Sequence, residues 1–211
     1  RRIADVTPMC IAASGRARTV SRCIMATKIG LEVCKRFGIE AHPMSVEAMA
    51  MNASMVEWIN SDKDIKDRPD EAWSVVSVNE PPPEGSNVML TKQENGWSGH
   101  LVIEIPSLGF MDLNSGQFMR PHKSIFIPDG FFWATELPRN LSESQGGWLV
   151  FQIPGDFVHE GNGRTAKCAM LSYRRSEPSA ISEAWKTSPD WLRSIGDLDE
   201  VVADIIERVD R

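Results

Sequence analysis

The chain has 211 residues, 42% of them hydrophobic and 25% charged, which is typical of a globular protein with a substantial core. Its net charge is −6 and it has no basic clusters, which argues against nucleic acid or an anionic membrane as its main partner. No apolar run is long enough to span a membrane, and we expect no signal peptide. We predict one domain over residues 1–211.

The four cysteines are Cys10, Cys23, Cys34 and Cys168, and none of them forms a CxxC pair or has zinc spacing. This low density argues against a disulfide framework, so we expect a reducing, cytoplasmic environment. We expect no metal and no cofactor. Cys34 and Cys168 are interpreted as core residues, whereas the role of Cys10 stays open.

The first clear element is a helix over residues 23–37, in which apolar residues recur at spacings of three and four. Ser21 is the expected N-cap and Gly38 the expected residue just past the C-terminus, with Pro43 preventing continuation. This places Cys23 near the start of the helix and Cys34 near its end, on one apolar stripe.

The remaining elements are mainly strands. We predict strands at 42–46, 73–78, 100–105, 110–113, 125–137, 147–153 and 168–173, a long irregular stretch at 79–99, and a closing helix over 197–209 that begins near Asp197. The order is a helix, then mostly antiparallel strands, then a final helix. This order predicts an α+β fold.

Three residues suggest chemistry when they are taken together. Cys23 starts a helix, His100 opens a strand and Asp112 lies on the next strand. A helix N-terminus and a neighbouring imidazolium both favour the reactive thiolate form of a cysteine. A carboxylate can hold the imidazole in the orientation that a general base needs. The backbone N–H of Cys23 is a candidate oxyanion donor, and Gln117 is a second polar candidate that could equally end the strand.

The proposed pairing of His100 and Asp112 requires a particular hairpin register. Both side chains share one face of the sheet only if the loop has an odd number of residues, so that Val102 lies opposite Asp112. Gly109 is then well placed for a residue with a left-handed backbone conformation. An even loop without a bulge would place the two side chains on opposite faces.

Each of the three residues also has a structural interpretation. Cysteine is among the most buried residue types, and Cys23 lies on an apolar stripe. His100 alone is equally consistent with a buried, hydrogen-bonded residue, and Asp112 alone with a cap for the turn at 114–116. His42 is interpreted as structural, and His122 and His159 as solvated.

Two segments of the sequence resemble the transglutaminase-like superfamily. Residues 21–42 resemble the core helix of that group, in which a catalytic cysteine starts a helix that ends in a Gly-Ile turn. Residues 99–112 resemble its catalytic hairpin, which is also similar to that of arylamine N-acetyltransferases. Val102, however, stands where transglutaminase-like proteins usually carry an aromatic residue.

The resemblance implies a papain-like core over about residues 20–120, in which an N-terminal catalytic helix packs on an antiparallel sheet. Residues 121–211 would add a sheet extension and the closing helix. The implied activity is acyl transfer or hydrolysis through a thioester on Cys23, with His100 and Asp112 as its partners and a peptide, protein or small acyl compound as substrate. The alternative is an inactive fold that binds a peptide or another protein. The oligomeric state stays open.

Overall fold

The structure is a computed structural model that describes residues 22–78, 88–90, 99–106, 108–127, 130–137, 149–152, 170–176, 181 and 197–210. Within these ranges the helices are α1 (Arg22–Arg36), α2 (Ala53–Ile59) and α3 (Leu198–Asp210). The strands are β1 (His42–Met51), β2 (Ser74–Ser77), β3 (Val88–Leu90), β4 (His100–Ile105), β5 (Gly109–Asp112), β6 (Phe131–Trp133), β7 (Leu149–Gln152) and β8 (Met170–Arg175). The α+β class is therefore confirmed.

Helix α1 ends as its sequence predicts. Gly38 has a φ of 67°, a left-handed conformation in which glycine has no Cβ penalty. The N–H of Ile39 donates to the carbonyl of Cys34 at 2.9 Å, and that of Gly38 donates to Lys35 at 3.0 Å. These bonds satisfy carbonyls that have no partner inside the helix. Ser21, the predicted N-cap, lies outside the described residues.

Strand β1 is the centre of the sheet. It pairs antiparallel with β4 through residues 42–46, with β2 through 48–51 and with β8 through 46–51. The β4–β5, β5–β6 and β7–β8 pairs are also antiparallel. The β2–β3 pair, however, is parallel, so the described sheet is mixed and mostly antiparallel, as the predicted strand order indicates, rather than the purely antiparallel sheet that the family resemblance implies.

The two faces of the sheet carry two different cores. Alternation along β4 places Leu101, Ile103 and Ile105 in a cluster with α1 and α3. Val102 lies in the opposite cluster, which also contains Phe110 and Tyr173. Helix α1 approaches the sheet closely at Gly30, where a Cβ atom would lie 2.5 Å from Cδ1 of Ile103.

Some predicted boundaries differ from the structure. The predicted strand at 42–46 extends to Met51, because alternate residues of this Met-rich segment remain buried. Helix α2 was not predicted, and its N-cap is Asn52, whose side chain accepts from the N–H of Met55 at 3.0 Å. Of the strand predicted at 125–137, only β6 forms among the described residues. Most of the irregular stretch predicted at 79–99 lies outside the described residues, although β3 forms within it.

Candidate active site

The hairpin of β4 and β5 has the register that brings His100 and Asp112 to one face. Ile103 pairs with Met111 and Ile105 with Gly109, which leaves residues 106–108 as the loop. Continuing this register places Val102 opposite Asp112, as predicted. Gly109 has a φ of +140° and lies close to the backbone of Trp133. The odd loop is therefore confirmed, and it makes Asp112 a diagonal neighbour of His100.

Asp112 is a buried carboxylate that accepts three hydrogen bonds. His100 Nε2 lies 2.8 Å from its Oδ2, and the hydroxyl of Tyr173 donates to the same oxygen at 2.6 Å. The backbone N–H of Asn114 donates to Oδ1 at 2.8 Å. His100, Asp112 and Tyr173 are all 0% exposed. The carboxylate is thus held by donors from β4, β8 and the turn after β5.

The His100 imidazole favours its protonated form. Burial by itself lowers the pKa of His100, but the charge of Asp112 and its hydrogen bond raise it. A hydrogen bond with Cys23 and the negative charge of its deprotonated sulfur act in the same direction, and the resulting pKa is about 10. His100 therefore carries a proton at neutral pH in this environment.

Cys23 lies where the sequence predicts, as the second residue of α1. Its side chain is 2% exposed and is a hydrogen-bonding partner of the His100 ring. The N–H groups at the start of a helix have no carbonyl partner within the helix, so that of Cys23 is free of an intrahelical bond. The structure thus brings all three predicted site residues together.

Gln117 is also part of this cluster. It lies in a 3-10 turn, Ser115–Phe118, rather than ending β5, and its side-chain amide contacts Nδ1 of His100. The ring of Phe118 meets the His100 ring edge to face, with 5.3 Å between the ring centroids. Each ring nitrogen of His100 therefore has a side-chain partner. Asp112 contacts Nε2, and Gln117 contacts Nδ1.

Tyr173 is a site residue that the sequence did not identify. It lies on β8, and its ring is stacked on that of His100, with 6.5 Å between the ring centroids and 25° between the ring planes. Burial, then the charge of Asp112 and its hydrogen bond, raise the pKa of Tyr173 well above its usual value, although a hydrogen bond with Trp133 opposes them. The hydroxyl is therefore a neutral donor. The feature that distinguishes Tyr173 in the sequence is that it is the single tyrosine of the chain.

The other cysteines and histidines lie elsewhere or outside the described residues. Cys34 is buried, as predicted, and burial raises the pKa of its thiol to about 11. His42 is exposed, and its Nε2 lies 3.2 Å from Oε1 of Glu40. His122 is also exposed, as expected. Cys10, Cys168 and His159 lie outside the described ranges.

Comparison with protein-family models, with curated proteins and with solved structures found no match for this chain. Among the residues that the structure describes, no three or more His, Cys, Asp or Glu side chains are grouped as metal ligands would be. No helix in the described ranges is long and apolar enough to cross a membrane.

Proposed function

We propose that this chain is a cysteine-dependent acyl-transfer enzyme with a papain-like core of the transglutaminase-like type. The observation that carries the proposal is the contact of Cys23 with an imidazole that is itself held by Asp112 at 2.8 Å. A nucleophile, its base and the group that orients the base are the components of this chemistry. The substrate would be an amide or ester of a peptide, a protein or a small acyl compound.

The first half-reaction forms a thioester. His100 has already taken the proton of the Cys23 thiol before the substrate arrives, which agrees with its protonated form at neutral pH, and the sulfur attacks the carbonyl carbon of the substrate. The electron pair of the C=O bond moves to oxygen, and then returns as the bond to the leaving group breaks. His100 gives its proton to that amine or alcohol. Asp112 keeps the imidazolium oriented during both transfers.

The second half-reaction releases the acyl group. Water or an amine gives a proton to His100, which lost its own to the leaving group, and attacks the thioester carbonyl. The Cys23 sulfur then leaves, and the site returns to its starting state with the proton on His100. Each tetrahedral intermediate carries a negative oxygen. The backbone N–H of Cys23 is a candidate donor to this oxygen, and the amide of Gln117, which contacts the His100 ring, is a second candidate.

The cost of burying this cluster favours a functional reason for it. A charged imidazole and a carboxylate that are both 0% exposed have lost their hydration, and such pairs are commonly no more stabilising than apolar residues of the same size. A core that needed only stability would therefore be served as well by apolar side chains at these positions. Placing the pair against a thiol gives it a chemical use.

The burial of Cys23 favours a second candidate. A side chain that is 2% exposed admits a carbonyl only after the site opens. A fold that keeps the cluster but never opens would instead serve as a peptide- or protein-binding module. The two candidates differ in whether the thiol reacts.

The test is site-resolved alkylation. Iodoacetamide labelling is followed by mass spectrometry of the peptides, in the native chain and in His100→Ala, with Cys34 as the internal control because burial raises the pKa of that thiol. The proposal expects Cys23 to react much faster than Cys34 at neutral pH, and to lose that advantage without His100. Equal and slow reaction of both cysteines in both proteins would reject the enzyme and support the binding module.

A further inference from the structure

The Asp112 carboxylate shares one oxygen between two side chains. Oδ2 accepts from the Tyr173 hydroxyl at 2.6 Å and lies 2.8 Å from Nε2 of His100. Oδ1 is bonded separately by the backbone N–H of Asn114. The hydroxyl and the imidazole therefore compete for the charge on the same atom.

We propose that Tyr173 is a positioning residue that weakens the hold of Asp112 on His100 by sharing the charge of Oδ2. This inference rests on the proposed function, since it gives Tyr173 a role in the proton transfers of the same site. The hydroxyl acts through the carboxylate and makes no contact with the reacting carbonyl.

The sign of the effect follows from where the charge lies. A carboxylate oxygen that receives a second strong donor has less negative charge to offer the first. The Asp112–His100 attraction is the main influence that raises the pKa of His100 against the effect of burial. Without the hydroxyl, the negative charge of Oδ2 interacts with the imidazolium alone. His100 then holds its proton more tightly and becomes a poorer proton donor to the leaving group.

Among the described residues, the side chains that face His100 come from several neighbouring elements. They are Cys23 from α1, Asp112 from β5, Gln117 and the ring of Phe118 from the following turn, and the ring of Tyr173 from β8. Of these, only Asp112 also bonds the Tyr173 hydroxyl. A change confined to that hydroxyl therefore reaches His100 through Asp112.

The Tyr173→Phe variant isolates the hydroxyl. The ring also packs edge to face on Phe110, with centroids 5.1 Å apart, and phenylalanine preserves both this contact and the stacking on His100. Phe118→Leu is a matched control, because it alters a ring that touches His100 and leaves the carboxylate and its donors in place.

The experiment titrates His100 by NMR of ¹⁵N-labelled histidine. The chain has four histidines, so replacing His42, His122 and His159 by glutamine leaves His100 as the single signal. We expect Tyr173→Phe to lower the acid dissociation constant of His100 about threefold to tenfold, and Phe118→Leu to leave it unchanged. An unchanged or larger constant in Tyr173→Phe would overturn the proposal.

A fluorinated form of the same chain tests for a change of the His100 dissociation constant in the opposite direction, with the tyrosine ring and hydroxyl kept in place. Because the chain has one tyrosine, growth on 3-fluorotyrosine changes position 173 alone. The fluorinated phenol is a stronger donor and should raise the dissociation constant of His100, whereas a constant equal to or below that of the native protein would contradict charge sharing. Neither titration needs a substrate, so the two proposals can fail separately. Slow alkylation of Cys23 would reject the proposed enzyme, while these shifts of the His100 dissociation constant would still establish the role of Tyr173.

Discussion

The hydroxyl of Thr27 donates to the backbone carbonyl of Leu101 at 3.4 Å, inside the protein core. Thr27 lies one helical turn after Cys23, and Leu101 follows His100 directly. This bond therefore joins the start of α1 to the start of β4 beside the proposed nucleophile and its base. It makes the relative position of Cys23 and His100 sensitive to a residue outside the cluster.

The first prediction concerns this bond. Thr27→Val keeps the shape of the side chain and removes the donor, so we expect a loss of about 1 kcal/mol in the free energy of unfolding. We also expect slower alkylation of Cys23, because the thiol is less well aligned with His100. Thr27→Ser keeps the hydroxyl and is the control. Urea unfolding and iodoacetamide labelling measure the two effects, and equal labelling rates in Val and Ser variants would contradict the expected alignment role.

The second prediction concerns the charge of Asp112. Asp112→Asn keeps the size of the side chain but removes the charge that does most to raise the pKa of His100, which leaves burial to lower it and only Cys23 to oppose burial. We therefore expect the pKa of His100 to fall well below about 10. The proposed acyl transfer should fall about 10⁴-fold, as the removal of an orienting carboxylate does in comparable triads. The NMR titration checks the first effect, and Asp204→Asn on α3 provides a control that should leave His100 unchanged.

The third prediction concerns stability against pH. In the folded protein the pKa of His100 is raised from 6.5 to about 10, so the folded state binds this proton more tightly than the unfolded chain. The resulting stabilisation is complete below about pH 6.5, declines as the pH rises and is lost above about pH 10. Urea unfolding across this window should show a falling free energy of unfolding. His100→Gln should flatten the decline and His42→Gln should not; the same slope in all three proteins would refute this linkage.

The fourth prediction concerns the turn that sets the hairpin register. Gly109 has a φ of +140°, and a Cβ atom there would lie 1.9 Å from the carbonyl oxygen of Trp133. Gly109→Ala should therefore cost about 3 kcal/mol or more in the free energy of unfolding. The adjacent Leu108 is 52% exposed, so Leu108→Ala should change that energy by less than about 0.5 kcal/mol. Similar melting temperatures for the two variants would show that β5 and β6 can separate at this point.

Local patterns predicted the elements that carry the site. The apolar stripe and Gly38 indicated α1, and the odd hairpin loop with Gly109 indicated which face Asp112 shares with His100. These signals are encoded within a few neighbouring residues, by side-chain periodicity and by backbone conformations that glycine adopts easily. The short helix α2 and the three-residue strand β3 escaped prediction, because segments of this length contain too few periods to be recognised.

Longer-range relationships were harder to predict. Sequence order suggested Cys23, His100 and Asp112 as a set, and the structure brings them together. Gln117 was a candidate only because it is polar and near Asp112 in the sequence, and Tyr173 was not identified, because neither forms part of a local motif that points to Asp112 or His100. Tyr173 reaches Asp112 because β8 pairs with β1 through residues 46–51, and no pattern in either strand specifies that partner.

The sequence by itself determined the α+β class and the helix that begins at the proposed nucleophile, and it specified which hairpin register the imidazole and carboxylate would need in order to meet. Tertiary structure decided that β2 and β3 run parallel, that a tyrosine from β8 shares the Asp112 oxygen and that Cys23, His100 and Asp112 are buried. The physical reason is that periodicity and turn conformation are local properties of the chain. Strand partners and burial, in contrast, depend on which distant surfaces exclude water together.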